Sequence, residues 1–214
     1  MNRLPSDDGT CVGGDIGPTG DPERNLELNL GKVCNNRCIF CLDAKAPRES
    51  RRWVPVSRAR EEILRARSDG ATSIGLLGGE PTAHPRILDL VGIARDAGFT
   101  RIALATNALK LSDPAFAREV IRAGVTRVGI SIHSHVERIE DDLTGRQGNF
   151  ARKLRAIGNL VELHGEGLLP HNVSLNAVLT APSFRSMPEY ASFFLGKGIS
   201  DVRFNMVRTD SCPS

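Results

Sequence analysis

The sequence predicts an α/β fold in which six parallel strands alternate with helices and curl into a partial (β/α)6 TIM-like barrel, open at one side. Three observations carry this. Short β-type runs alternate with amphipathic helical stretches through most of the 214 residues. Strands joined through crossover helices run parallel, and such connections are right-handed. Within each run one face is apolar and the other small or polar, as if lining a wet cavity. A sheet covered by helices on both sides reads instead as continuous hydrophobics. A closed eight-stranded barrel fills its interior with Val, Ile and Leu.

Taken in order, residues 1–25 are rich in Gly, Pro and Asp without an apolar period, and read as a flexible leader. Residues 26–214 read as one core domain. Its β-type runs are LELNLG from Leu26, SIGLLG from Ser73, RIALAT from Arg101, VGISIH from Val128, VSLNAVL from Val173 and VRFNMV from Val202. Five helices are expected between them. Ala59, Ile63 and Ala66 mark the first, ending near Gly70. Ile87, Leu90, Val91 and Ala94 mark the second, with Pro85 just inside its start and Gly98 past its end. Phe116, Val120 and Ala123 form a narrower stripe between Ser112-Asp113-Pro114 and Gly124. Leu154, Ile157, Gly158 and Val161 repeat the helical rule. Ser186-Met187-Pro188-Glu189 has the form of a capping box opening a helix toward Leu195.

The face opposite the apolar one carries Glu27, Asn29, Ala103, Ala105, Asn107, Ser131, Ser174, Asn176, Arg203 and Asn205. Composition bounds what such a cavity serves. Lys plus Arg number 28 against 25 Asp plus Glu, and aromatics are 5%, so neither a basic field nor a set of stacking platforms points to nucleic acid. No apolar stretch approaches the roughly 20 residues of a bilayer span, and no signal-peptide core precedes the domain, so the expected place is the cytoplasm. Five cysteines, an odd count with three inside eight residues, argue against a disulfide framework and for metal or cluster ligation.

In parallel α/β folds chemistry sits at the carboxyl ends of strands. The first run leads directly into Cys34-Asn35-Asn36-Arg37-Cys38-Ile39-Phe40-Cys41, three thiols at C-x3-C-x2-C spacing. Structural zinc closes with four protein ligands, whereas a [4Fe–4S] cluster on three cysteines keeps one iron open. Zinc with Cys11 or Cys212 as fourth ligand, or a chance group of buried thiols, is the alternative at this point. The second run ends in Gly78-Gly79-Glu80-Pro81. Its glycines let backbone groups approach a ligand, and its carboxylate suits an ammonium; the same residues also make a tight turn with a solvated Glu. The third and fourth runs end in Thr106-Asn107-Ala108 and Ser131-Ile132-His133, where ligand contacts compete with local turn formation. His133 reads more readily as a packing residue than as a proton donor, and His135 has no assigned role.

Together these residues resemble the radical S-adenosylmethionine superfamily: Cys34-x3-Cys38-x2-Cys41 with Phe40 before the last cysteine, then Gly78-Gly79-Glu80-Pro81. Asp142-Leu143-Thr144-Gly145 followed by Gly148-Asn149-Phe150 is similar to the MoaA-like branch, and the resemblance extends from about Leu26 to Met206. It implies that Cys34, Cys38 and Cys41 hold three irons of a [4Fe–4S] cluster whose fourth iron is chelated by S-adenosyl-L-methionine. It places Phe40 near the adenine, and Gly78, Gly79 and Glu80 at the methionine ammonium. Asn107 and Ser131 fall near the carboxylate and ribose, and Asn176 and Val178 beside the nucleoside. It further implies reductive cleavage to a 5′-deoxyadenosyl radical, hydrogen abstraction from a substrate, and an electron donor such as flavodoxin or ferredoxin.

The substrate is expected to be a small molecule. A protein-modifying activase or maturase, or a non-catalytic zinc or redox-sensing module, are the alternatives, and Glu80 after two glycines argues against the last. Arg203 and the run Arg48-Glu49-Ser50-Arg51-Arg52 read as surface charge. The sequence stops soon after the sixth run without a sixth crossover helix, which reads as a truncated, minimal or partner-completed core.

Overall fold

The structure, a computed structural model, describes residues 25–43 and 47–206. The flexible-leader expectation, Cys11 and Cys212 fall outside them. Six strands form one sheet: β1 Asn25–Asn29, β2 Ser73–Leu77, β3 Arg101–Thr106, β4 Arg127–Ser131, β5 Ser174–Leu179 and β6 Asp201–Met206. Every neighbouring pair is parallel, and the spatial order is the chain order, β1 to β6. A doubly wound sheet reverses its order at a switch point. An unreversed order winds one way only, with helices on one face and the other face free. The partial barrel is therefore the architecture, with β1 and β6 at its edges among the described residues.

The two faces separate by burial. Leu28, Ile74, Leu76, Ile102, Leu104, Val128, Ile130 and Leu175 are at most 1% exposed and belong to one core beneath the helices. Ala105, Ser131, Asn176, Val178 and Arg203, of opposite parity in their strands, retain access to solvent. At the amino-terminal end of this inner face Arg127 reaches Asp201 at 2.6 Å, which ties β4 to β6.

Among the described residues six helices cover the outer face: α1 Val56–Ser68, α2 Ile87–Asp96, α3 Pro114–Ala123, α4 Glu137–Thr144, α5 Asn149–Gly165 and α6 Met187–Leu195. Asp113 caps α3 by accepting from Ala115 N at 2.9 Å, and Gly124 closes it at φ 134°. Several details differ from the sequence expectation. Helix α4 was not expected. Its burial rests on Glu140 and Asp141 beside Leu143, and an apolar count passes over the two carboxylates. The buried stripe of α3 is Ala117, Val120 and Ile121. That of α5 runs through Phe150, Lys153, Ala156, Ile157, Leu160 and Leu163, with Leu154 and Val161 at its margin and Gly158 exposed. Lys153 holds the centre of this face, so a reading that admits only apolar residues rotates the stripe. Ser186 gives no side-chain cap to α6; its hydroxyl donates to Ser183 O at 3.0 Å instead. Pro85 lies before α2, whose N-cap is Arg86.

Candidate active site at the carboxyl ends of the strands

The site grows out of the exit from β1. The chain passes beside the turn after β2, with Leu30 N donating to Leu77 O at 2.9 Å, Gly79 N to Gly31 O at 2.7 Å and Glu80 N to Val33 O at 2.9 Å. The glycine pair is required by this contact. A Cβ on Gly79 would stand 2.3 Å from Val33 O, and one on Gly78 2.6 Å from Gly31 O. The sequence reads these glycines as room for a ligand; here they make room for the approach of the cysteine loop.

That loop is clamped on its other side by the corner between α4 and α5. Arg37 N donates to Thr144 O at 3.2 Å and Ile39 N to Leu143 O at 3.0 Å. Gly145, left-handed at φ 69°, lets the corner turn, and a Cβ there would lie 2.7 Å from Arg37 O. Asp141 fixes the corner internally by accepting from Gly148 N at 2.6 Å and Phe150 N at 2.8 Å. The segment 142–150 thus acts as a backbone cradle for the thiols.

The three cysteines are free, Cys34 exposed and Cys38 and Cys41 half-buried. Each lies within electrostatic reach of the others: Cys41 raises the Cys34 thiol, and Cys34 and Cys41 both raise Cys38. Burial is the larger cause, pushing Cys38 up to about 11 against the pull of Lys153. Although Cys34 is exposed as a residue, desolvation of its thiol lifts it too, with Glu80 adding to the rise and Asn36 N–H, 3.4 Å from its sulfur, and Asn107 Nδ2 at 3.7 Å opposing it. Thiols held up in this way carry their protons until a metal displaces them. Among the described residues no three His, Cys, Asp or Glu side chains enclose a single metal ion.

The remaining predicted residues fall into two groups around the loop. On the β2–β3 side Glu80 is fully buried. Its Oε1 accepts from Thr82 N at 2.9 Å, Thr82 Oγ1 at 2.5 Å and Thr106 Oγ1 at 2.6 Å, while Oε2 accepts from Asn107 N at 2.7 Å. The carboxylate therefore straps the exits of β2 and β3 together, a role that its position after two glycines does not reveal. Asn107 continues the strap to the loop, its Nδ2 donating to Asn35 Oδ1 at 2.7 Å.

On the β4–β5 side, Lys153 Nζ donates to Ser131 O at 2.7 Å and to Glu140 Oε1 at 2.6 Å, and the Lys153 and Glu140 side chains are wholly buried. Glu140 Oε2 accepts from His133 N at 2.7 Å and Ser134 N at 3.0 Å. Burial raises the Glu140 carboxyl, while Lys153 and the two amides pull it down. His133 meets Phe40 edge-on at 4.8 Å and accepts from Val178 N at Nδ1, 3.1 Å away. An acceptor Nδ1 places the proton on Nε2, and burial depresses His133 to about 3, with Lys153 adding to the effect. His133 is a packing and orienting residue, as its sequence context suggested. Asn176 faces Gly129 across the inner surface, where a Cβ would meet Asn176 Nδ2 at 3.0 Å. Arg203, in register with Asn176, donates to Asp201 Oδ1 at 3.4 Å. His135 packs on Phe193 at 5.9 Å, and the exposed Arg52 donates to Glu49 O at 3.0 Å.

Lys153, Glu140, Thr106, Asn36 and Asn149 have structural parts in this rim that sequence reasoning missed. The signal available was a lysine within an otherwise apolar helical stripe, which demands a buried partner.

Comparison with known proteins agrees with this architecture. The family described as the Radical SAM superfamily matches residues 28–179. A protein of Saccharolobus islandicus named as a probable GTP 3′,8-cyclase is 26% identical over 187 residues, covering 86% of this chain and 56% of its own length. The chain thus spans little more than half of such curated relatives. The crystal structure of Streptococcus suis SuiB bound to S-adenosylmethionine superposes with a TM-score of 0.69 at 22% identity, covering 87% of this chain and 41% of that one. Native anSMEcpe with bound AdoMet and a peptide superposes at 0.70 with 17% identity, covering 86% and 51%. At these identities the two structures establish a shared fold. No helix among the described residues is long and apolar enough to cross a membrane.

Proposed function

Because the chain belongs to the radical SAM superfamily, we propose that Cys34, Cys38 and Cys41 hold a [4Fe–4S] cluster in an enzyme that cleaves S-adenosylmethionine reductively and abstracts hydrogen from a small-molecule substrate. The observation that carries this reading is the cysteine loop itself: three free, mutually interacting thiols, with N–H donors turned to Cys34. The loop suits such a cluster in another respect, since Asn36 Nδ2 is buried beside it without a partner among the described residues. When bound, the cluster and S-adenosylmethionine supply the electron and the 5′-deoxyadenosyl radical.

The chain supplies placement. Asn107 positions Cys34 from the exit of β3, and in this reading Asn107 and Ser131, from the two sides of the loop, meet the methionine carboxylate and ribose. Gly78 and Gly79 present backbone to the methionine ammonium. Glu80 stands behind them with four neutral donors and no built-in cation in that set, so its charge favours the ammonium through the field it creates. Phe40, Asn176 and Val178 border the nucleoside, with Phe40 and Val178 both in contact with His133. Ala105 and Gly129 keep the inner face low enough for cofactor and substrate to share the barrel.

The cyclase name of the Saccharolobus relative supports a small-molecule substrate of the nucleotide class. A flavodoxin- or ferredoxin-type protein is the electron donor in this reading, and three unpaired thiols suit a reducing compartment such as the cytoplasm. The test is anaerobic reconstitution with iron and sulfide, then dithionite and S-adenosylmethionine. The native chain is expected to release 5′-deoxyadenosine and Cys38→Ala none. Stoichiometric zinc with no iron uptake would overturn the proposal.

A further inference from the structure

Asn36 lies between the first two cysteines of the loop, and its side-chain atoms have unlike surroundings. Its Oδ1 accepts from Asn149 Nδ2 at 2.9 Å. Its Nδ2 is buried and has no hydrogen-bond partner among the described residues, although the residue is only 8% exposed. Buried amide donors are almost always satisfied, so one left over within a ligand loop needs an acceptor.

The carboxamide is held through its oxygen. Asn149, wholly buried at the start of α5, is itself held by Thr144 Oγ1 at 3.0 Å, and Thr144 Oγ1 donates to Glu140 O at 2.8 Å. Beside it, Arg37 N is bound to Thr144 O, and Asn36 N donates to Cys34 Sγ at 3.4 Å. The Oδ1 side of the amide is fixed against the α4–α5 corner, and Nδ2 stays buried on a residue of the loop that carries the thiols. The residue type also matters. Much of the clamp is made by backbone groups, which any sequence supplies, whereas this donor belongs to the asparagine alone.

We propose that Asn36 Nδ2 donates a hydrogen bond to a sulfur of the bound cluster, that Asn149 aims it, and that the pair raises the cluster's reduction potential. The inference rests on the function proposed above. Reduction adds negative charge to the cluster, and an N–H donor stabilises the more negative state more strongly. Hydrogen bonds to the sulfurs are among the determinants of these potentials, and a buried site strengthens them. The competing arrangement is a reciprocal amide pair. Asn149 Oδ1 is also unpartnered, and turning both amides over would pair it with Asn36 Nδ2 at the contact that Asn149 Nδ2 and Asn36 Oδ1 now make.

The experiment is a redox titration of the reconstituted chain followed by electron paramagnetic resonance, comparing native protein with Asn36→Leu and Asn149→Ala. Asn36→Leu is expected to lower the reduction equilibrium constant about tenfold, a negative shift of about 59 mV for one electron. Asn149→Ala should move it the same way by less. The cluster-free Asn36→Leu chain loses an unsatisfied buried donor together with the acceptor of Asn149 Nδ2, so it should stay folded and melt only slightly below native. An unchanged potential with the cluster intact would overturn the inference and leave the proposed function standing. Loss of the cluster from both variants, with each still folded, would also overturn it, making the pair an assembly determinant. Failure of the native chain to take up iron and sulfide would remove the functional reading and this inference together.

Discussion

Two glutamates, Glu80 and Glu140, stand on opposite sides of the barrel mouth, and both are completely buried. Each uses its carboxylate to hold backbone N–H groups at a strand exit: Asn107 N after β3 for Glu80, and His133 and Ser134 N after β4 for Glu140. Their other partners differ in kind. Glu140 carries its counter-charge permanently, as Lys153 at 2.6 Å. Glu80 is met by the hydroxyls of Thr82 and Thr106 and by backbone amides, all uncharged. A buried carboxylate surrounded by neutral donors retains an outward negative field, whereas a paired one is locally cancelled. The β4–β5 side is therefore a fixed scaffold, and the β2–β3 side is electrostatically ready for a cation brought by a ligand.

The largest effect that would sharpen this contrast is expected from Lys153→Met, which leaves Glu140 buried and unpaired at a cost of about 3–5 kcal/mol. Urea unfolding measures it, and adding Glu140→Gln should recover most of the loss. A single-variant cost below about 1 kcal/mol would mean that the pair is not the scaffold described. Glu80→Ala strands several donors and should cost about 2–3 kcal/mol. Glu80→Gln should cost less, yet weaken S-adenosylmethionine binding to the reconstituted protein about tenfold by equilibrium dialysis, or about 1.4 kcal/mol. Native affinity in Glu80→Gln would reduce that residue to a strap.

Gly145→Ala comes next, at about 1–2 kcal/mol for its left-handed backbone, with a further loss of iron retention because the new Cβ meets Arg37 O. Gly148→Ala, at φ 79° with open space around it, should show backbone strain alone. Equal iron retention in the two variants would argue against the cradle. The smallest effect is in pH. His133 is depressed to about 3 by burial, so the unfolded chain takes up its proton first. Stability should therefore fall as pH drops below the ordinary histidine value of 6.5 and level off near 3. Between pH 7.5 and 6 this amounts to about 0.8 kcal/mol. His133→Asn, which keeps an acceptor for Val178 N, should remove it from the denaturation profile.

The strands, their parallel order and the cysteine loop were legible in sequence because they obey periodicity and spacing. RIALAT became β3 over Arg101–Thr106 without adjustment. What stayed hidden was set by contacts between distant segments. Nothing local to Gly79 announces that Val33 O will press against it, and nothing local to Glu80 announces Thr106. Helix α4 and the true face of α5 were obscured because charged side chains, Glu140 and Lys153, hold positions that an apolar pattern assigns to hydrocarbon. Buried ion pairs defeat periodicity by construction.

The clamp on the cysteine loop also has a temporal side. Asn36 and the Asn149 that secures it are 113 residues apart in the chain. At ribosomal speeds that interval takes on the order of ten seconds, during which the three sulfurs have emerged but their seat has not. Iron delivery to a nascent polypeptide would meet an unshaped loop, and oxidants would meet accessible sulfur. The seat around these sulfurs is thus complete only after the fourth strand and the corner beyond it have been made.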